Sequence, residues 1–301
     1  MVDRRIQILG TVCHVGIDSA LAFYEPPSTA TTQQPAMRHV TSRQNPIVRT
    51  FRALAETTDP SGARLLLDGA HLIDEAQRAG LTFETAAILA SRVEGDTEEG
   101  LIARDLDRRG IDVVIAREQV FAAISPVRSP SGIVAIAGRA PTTAAAVCRG
   151  THAFVVGAVD VQDPGNMGAI VRVAEAGGAT GVLGAGISAS PFSWKAVRGS
   201  MGSVLRLPVA AGMEAEAALA CMTEAGLRTV AAVPRGGLAP DDIDWTGSVG
   251  LLVGGEGPGL SDAVVDRCDA RVTIPMSPPV ESLNVAVAAA ILVYAARRQR
   301  L

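Results

Sequence analysis

Residues 153–172 read Ala-Phe-Val-Val-Gly-Ala-Val-Asp-Val-Gln-Asp-Pro-Gly-Asn-Met-Gly-Ala-Ile-Val-Arg. The apolar run 153–159 suits a short strand buried on both faces. Asp163-Pro164-Gly165 is a turn sequence, because Asp bonds its own backbone, Pro presets φ and Gly tolerates reversal. From Met167 the apolar residues take up helical spacing as far as 176. Strand, turn and helix in that order make one unit of an α/β fold. The alternation continues: 181–183, 206–210, 229–233, 250–253 and 272–275 read as strands. Helical stretches fall near 194–201, 215–225, 261–267 and 283–298. A parallel sheet with helices on its faces is the architecture implied.

Toward the N-terminus, 41–140 reads as a smaller α/β domain. It has helices at 46–55, 71–79 and 98–109, and strands at 64–67, 85–90, 112–116 and 133–137. The stretch 139–149, with Pro141, two threonines and several alanines, reads as a linker. Residues 1–36 lack periodicity and turn rich in Ser, Thr, Gln and Pro, which predicts a disordered extension, with Met37 a candidate start. The expected division is therefore 1–36, 37–140 and 150–301.

Composition narrows the class. Apolar residues are 48% of the chain and aromatics 3%, so the cores must be built from Ala, Val, Leu and Ile. Cys13, Cys148, Cys221 and Cys268 lie far apart, as do the four histidines, so neither a disulfide scaffold nor a zinc site is expected and reduced cytosol is the natural compartment. The longest apolar run, 285–296, is too short to span a bilayer, and the N-terminus lacks a signal-peptide pattern. A net charge of −4 does not announce a nucleic-acid binder.

Three segments place glycines, amides or carboxylates just beyond a strand, where ligands bind in open α/β sheets. The first is 160–172. Asn166 is placed to cap the helix, Gly168 lets another backbone approach, and Arg172 follows two turns in; ordinary capping and a solvated Arg172 explain the same residues. The second is Leu252-Val-Gly-Gly-Glu-Gly-Pro-Gly-Leu260. It offers free backbone N–H groups and room for a flat ligand, lacks the Gly-Lys of a phosphate loop, and carries Glu256, which repels phosphate; a plain tight loop remains the alternative. The third is Ile274-Pro-Met-Ser-Pro-Pro-Val-Glu-Ser-Leu-Asn284, a proline-stiffened loop with Ser282 and Asn284 at the threshold of an apolar helix, where capping alone also accounts for them.

As a set, in this order, the three segments resemble the signature motifs of the SpoU/TrmH RNA ribose 2′-O-methyltransferases of the SPOUT class. The resemblance rests on Asn166, Gly168, Arg172, Gly254, Glu256, Gly257, Gly259, Pro275, Ser282, Leu283 and Asn284. It is looser over 40–140, where Thr41-Ser-Arg-Gln-Asn-Pro46 and Leu67-Asp-Gly-Ala-His-Leu72 resemble the start of the family's ribosomal-protein-like RNA-binding domain. One departure stands out: many members have Asn before the second-motif Glu, and here it is Gly255.

The resemblance implies a C-terminal trefoil knot, a homodimer, and S-adenosylmethionine as cofactor without a metal. Leu252, Gly254, Glu256, Gly257, Gly259, Ile274, Met276 and Leu283 would hold the cofactor, with 252–259 forming one wall largely through backbone groups. It implies methyl transfer to a ribose 2′-hydroxyl of RNA, with 23S ribosomal RNA first and tRNA second. The family proposal makes Arg172 the base. A guanidinium rarely gives up its proton, so a phosphate clamp is the better expectation, with Asn166, Ser282 and Asn284 orienting the hydroxyl. Arg43, Arg49 and Arg52, with Arg38 nearby, are candidate RNA contacts or a solvated face. Ser200, in Arg198-Gly-Ser-Met-Gly202, matches a further family segment and is grouped with them. Two rivals stay in view: a dinucleotide oxidoreductase, from the G-x-G-x-x-A match at 184–189, and a non-catalytic RNA-binding protein on the same fold.

Overall fold

The computed structural model describes residues 37–301, and the extension expected over 1–36 lies outside them. Strand β1 (Arg38–Val40) is followed by helix α1 (Pro46–Glu56). Asn45 caps α1 by accepting from the Ile47 N–H at 3.0 Å, and Pro46 sits in the first turn, where its missing N–H costs nothing. Val48, Phe51 and Leu54 bury one face of α1, which leaves Arg49 and Arg52 exposed on the other. The chain continues through β2 (Arg64–Asp68), α2 (Ala70–Arg78), β3 (Thr82–Leu89), α3 (Glu98–Arg108), β4 (Asp112–Ala116), α4 (Glu118–Ile124) and β5 (Ile133–Gly138). Its five-stranded sheet has the order β1-β4-β3-β5-β2, with β5 antiparallel to both neighbours.

The stretch expected to be a linker is packed instead. Helix α5 (Ala144–Val147) lies within it, Val147 and Cys148 are each 1% exposed, and Arg139 donates to the Val204 carbonyl at 3.1 Å.

The second sheet follows: β6 (Phe154–Val159), α6 (Pro164–Ala176), β7 (Gly181–Ala185), α7 (Trp194–Gly199), α8 (Ser203–Arg206), β8 (Val209–Met213), α9 (Ala215–Glu224), β9 (Arg228–Ala232), β10 (Val249–Gly254), α10 (Asp262–Val265), β11 (Ala270–Val272) and α11 (Val285–Arg300). Its six strands are all parallel, in the order β11-β9-β10-β6-β7-β8. Two expected strands move. The one read at 206–210 begins at Val209, because Pro208 has no N–H for a ladder and the residues before it close a helical turn. The one read at 272–275 occupies 270–272 and stops short of Pro275.

Helices α6 and α11 cover one face of this sheet. Their apolar residues, Ile170 and Leu292 among them, join Leu65, Ile73 and Ile88 of the first half in one continuous cluster. Helices α5, α9 and α10 cover the other face around Leu183, Leu219, Leu252 and Val264. Fully burying each such side chain contributes about 1.5–3 kcal/mol. Among the described residues, no helix is long and apolar enough to cross a membrane.

The strand order positions the site. The chain runs outward from β6 to β8, returns to β9, and lays β10 beside β6. The order reverses between β6 and β10, so their carboxyl ends open the crevice where an α/β sheet takes its ligand.

Candidate active site

The loop after β6 enters α6 through Asp163, whose carboxylate accepts from the Asn166 N–H at 2.8 Å, with Pro164 in the first turn. The cap is thus Asp163 and not Asn166, because Pro164 is preorganised for the first helical position and fixes the start one turn earlier. The side chain of Asn166 is released to the crevice. It donates through Nδ2 to Oε1 of Glu256.

Asn284 does two things at once. As the cap of α11, its Oδ1 accepts from the N–H groups of Ala286 at 3.0 Å and Val287 at 3.3 Å. Its Nδ2 donates to Asn166 Oδ1 at 3.1 Å and reaches Glu256 Oε1 at 3.5 Å. The amide orientations follow from chemistry: N–H groups only donate, so Asn284 must turn its oxygen to the helix, and an ionised carboxylate only accepts, so Asn166 must turn its nitrogen to Glu256. One residue from each of the three loops meets at this junction.

The glycine loop after β10 is shaped by backbone contact. A Cβ at Gly254 would stand 2.4 Å from the Gly259 carbonyl carbon, so the loop doubles back on itself. A Cβ at Gly255 would stand 1.9 Å from the Asp160 carbonyl oxygen, and the Gly255 N–H donates to Val159 at 2.7 Å. The family departure at Gly255 therefore has a structural reason: the loop is pressed against the β6 loop and no side chain fits between them.

Glu256 and Asn284 of this junction line a cavity of about 410 Å³. Gly254, Glu256, Gly257 and Gly259 line it, together with Ile274, Met276 and Leu283. Ser282 and Asn284 line it as well, and so do Ala232 to Pro234 at the carboxyl end of β9. Sequence reading missed the β9 contribution, although the end of that strand was its signal. The volume falls within the range typical of small-molecule sites.

Other candidates lie elsewhere. Leu252 is fully buried and packs into the cluster on the opposite face of the sheet, so its side chain does not reach the cavity. Ser200 is 1% exposed and its hydroxyl donates to the Val197 carbonyl at 2.7 Å, which withdraws it from any RNA surface. Arg172 is exposed on α6 and is not part of the cavity lining of its own chain. Arg43 and Arg52 line a separate cavity of about 360 Å³, with Arg49 exposed on the same helix as Arg52. Arg38 is engaged by Asp112 in a two-pronged pair at 2.9 and 2.6 Å. The 184–189 match opens no helix: Gly184 is in β7, Ile187 N–H donates to Asp160 Oδ1 at 2.7 Å, and α7 starts only at Trp194. That stretch braces the β6 loop and does not read as a dinucleotide fingerprint.

Comparison with known proteins places this geometry. Residues 153–294 match the model of the SpoU rRNA Methylase family. An uncharacterized tRNA/rRNA methyltransferase of Synechocystis is 32% identical over 268 residues, covering 87% of this chain and 94% of its own length. The Bacillus subtilis 23S rRNA (guanosine(2553)-2′-O)-methyltransferase RlmP is 29% identical, covering 86% of this chain and 98% of its own. Among solved structures, an AdoMet-bound rRNA methyltransferase from Sinorhizobium meliloti superposes with a TM-score of 0.77 at 30% identity, covering 88% of this chain and 99% of its own. The AdoMet complex of the SpoU methyltransferase AviRb from Streptomyces viridochromogenes gives 0.74 at 27% identity, covering 85% and 98%.

Proposed function

The chain belongs to the SpoU rRNA methylase family, and we propose that it transfers a methyl group from S-adenosylmethionine to a ribose 2′-hydroxyl of RNA. The observation that carries this reading is the junction of Asn166, Glu256 and Asn284 at a glycine-walled cavity. Labelled methyl recovered in RNA as a 2′-O-methyl nucleoside tests it.

The cavity suits the cofactor. Its volume is that of a small-molecule site, Ile274, Met276 and Leu283 offer apolar surface for a flat ring, and the 254–259 backbone cannot carry side chains at Gly254 or Gly255 without collision. When bound, the cofactor supplies an electrophilic methyl group on a sulfonium. The chain must place the ribose oxygen and exclude water, and positioning contributes on the order of 7–11 kcal/mol at best. The junction ties Asn166 and Asn284 together, and Ser282, which lines the same cavity, engages the hydroxyl. Arg172 holds a phosphate next to the target ribose in a charge-assisted pair.

Arg172 is outside the cavity of its own chain, and the outward faces of α6 and α11 account for that. Arg172 is exposed with Ala176 on α6, and Val287, Ile291 and Tyr294 form an exposed apolar stripe at i, i+4 and i+7 on α11, which packs against α6. A second copy covering this stripe is the homodimer proposed here, with Arg172 at its interface. The C-terminal part of the 150–301 domain is read as a trefoil knot. Residues 37–140 select the RNA, with Arg43, Arg49 and Arg52 as phosphate contacts, and the protein works in the cytoplasm. The favoured target is 23S ribosomal RNA, supported by the near full-length match to RlmP; tRNA is the second reading. The intact junction argues against a non-catalytic RNA binder.

A further inference from the structure

Arg206, at the end of α8, bridges carboxylates from both halves of the molecule. It pairs with Glu175 of α6 through two parallel bonds, Nε to Oε1 and Nη2 to Oε2, each 2.8 Å. It also pairs with Glu75 of α2, on the first sheet. The carboxylates are largely shielded, with side-chain exposures of 15% for Glu75 and 28% for Glu175. Among the described residues Glu75 has one other partner, Arg78 at 3.3 Å on its own helix, so Arg206 is its tie to the second half. The approach of α2 is close: a Cβ at Gly202 would stand 3.1 Å from Cβ of Glu75, and Gly202 has a φ of +88° that favours glycine.

The same segment grips α6 at a second point. A Cβ at Gly168 would stand 2.4 Å from the Ala196 carbonyl oxygen and 2.9 Å from the Ser200 nitrogen, so the first turns of α6 rest on the backbone of α7. The 194–206 segment therefore holds α6 at Gly168 and at Glu175, and Arg172 lies between the two grips. A bidentate pair fixes angle as well as distance.

We propose that Arg206 is a positioning residue for methyl transfer: by tying Glu75 of the first sheet to Glu175 of α6, it sets where RNA held by residues 37–140 presents its ribose to Asn166 and Arg172. This rests on the RNA methyltransferase reading given above. A misplacement near 1 Å, made far from the chemistry, lowers rate by up to about a hundredfold.

The test uses the full chain as wild type, Glu75→Gln, Arg206→Gln and the double variant. Each is measured for S-adenosylmethionine affinity by calorimetry, for affinity to unmodified 23S ribosomal RNA made by transcription, and for single-turnover methyl transfer to that RNA. Glu75→Gln should leave both affinities within about twofold and slow transfer about tenfold, and the double variant should be no slower than Arg206→Gln. A Glu75→Gln protein that only melts earlier, with its transfer rate unchanged, overturns the inference, as does a double variant whose loss is the product of the single losses. If wild type leaves this transcript unmethylated, the same four proteins are assayed on total tRNA, and a wild type that binds the cofactor but methylates neither RNA overturns the underlying reading and this inference with it.

Discussion

The Nδ2 of Asn284 donates to the Oδ1 of Asn166 at 3.1 Å, across 118 residues of chain. Because the Oδ1 of Asn284 is committed to capping α11, the geometry of that cap and of the crevice are one structure. The start of a helix is thereby part of the lining of the site. The two jobs are separable by mutation, since a cap needs only an acceptor and the crevice needs a donor.

Asn284→Ser keeps a good cap and breaks the bond to Asn166, because its hydroxyl is too short to reach Asn166 while it caps. Its melting should stay near that of wild type while methyl transfer falls about tenfold or more. Asn284→Ala removes both and should cost about 1 kcal/mol of stability in addition. Denaturant melts alongside labelled-methyl assays decide the matter; equal activity of Asn284→Ser and wild type would show that only the cap counts.

Gly255→Asn restores the residue many relatives carry and should nonetheless harm this protein. The new side chain would start 1.9 Å from the Asp160 carbonyl oxygen. Stability should drop by about 1–3 kcal/mol and cofactor affinity should weaken, because the loop must lift off the β6 turn. A variant that melts like wild type would show that the loop relaxes freely.

Glu175→Gln should reveal a pH-dependent contribution. Hydrogen bonding from Arg206 holds the Glu175 carboxyl below the usual value of 4.5. The folded state therefore binds this proton less readily than the unfolded chain, so the stabilisation is full above that value and fades as pH falls through the lower folded value. After solvent screening the difference between wild type and variant should be about 0.5 kcal/mol at pH 7. Urea melts at neutral and at strongly acidic pH should show it shrinking; a difference independent of pH would locate the effect elsewhere.

Ile291→Glu, in the exposed stripe of α11, should turn a two-chain particle into single chains, as read by sedimentation. Methyl transfer should fall with dimer content if Arg172 acts at the interface. A wild type that sediments as a single chain would remove the homodimer.

Much of this was legible in the chain. The strands at 154–159 and 249–254 are nearly all apolar and bounded by turn residues, so their place in a buried parallel sheet follows from composition. The three loops were found by position, just past strands. What escaped depends on contacts distant in sequence. Asp163 and Asn166 are both good caps, and Pro164 chose between them. Leu252 and Ser200 belong to motifs, yet packing turned one into the core and bonded the other to its own helix. Strand β1 spans three residues and α4 seven, too few for a period to show.

The most direct measurement is methyl transfer from labelled S-adenosylmethionine into RNA by wild type and Arg172→Ala side by side, with cofactor affinity determined for both. The expected result is label recovered as a 2′-O-methyl nucleoside with wild type, its loss in Arg172→Ala, and equal cofactor affinity, because Arg172 lies outside the cavity. Full transfer by Arg172→Ala, or no label in any RNA from wild-type protein shown to bind the cofactor, would contradict it.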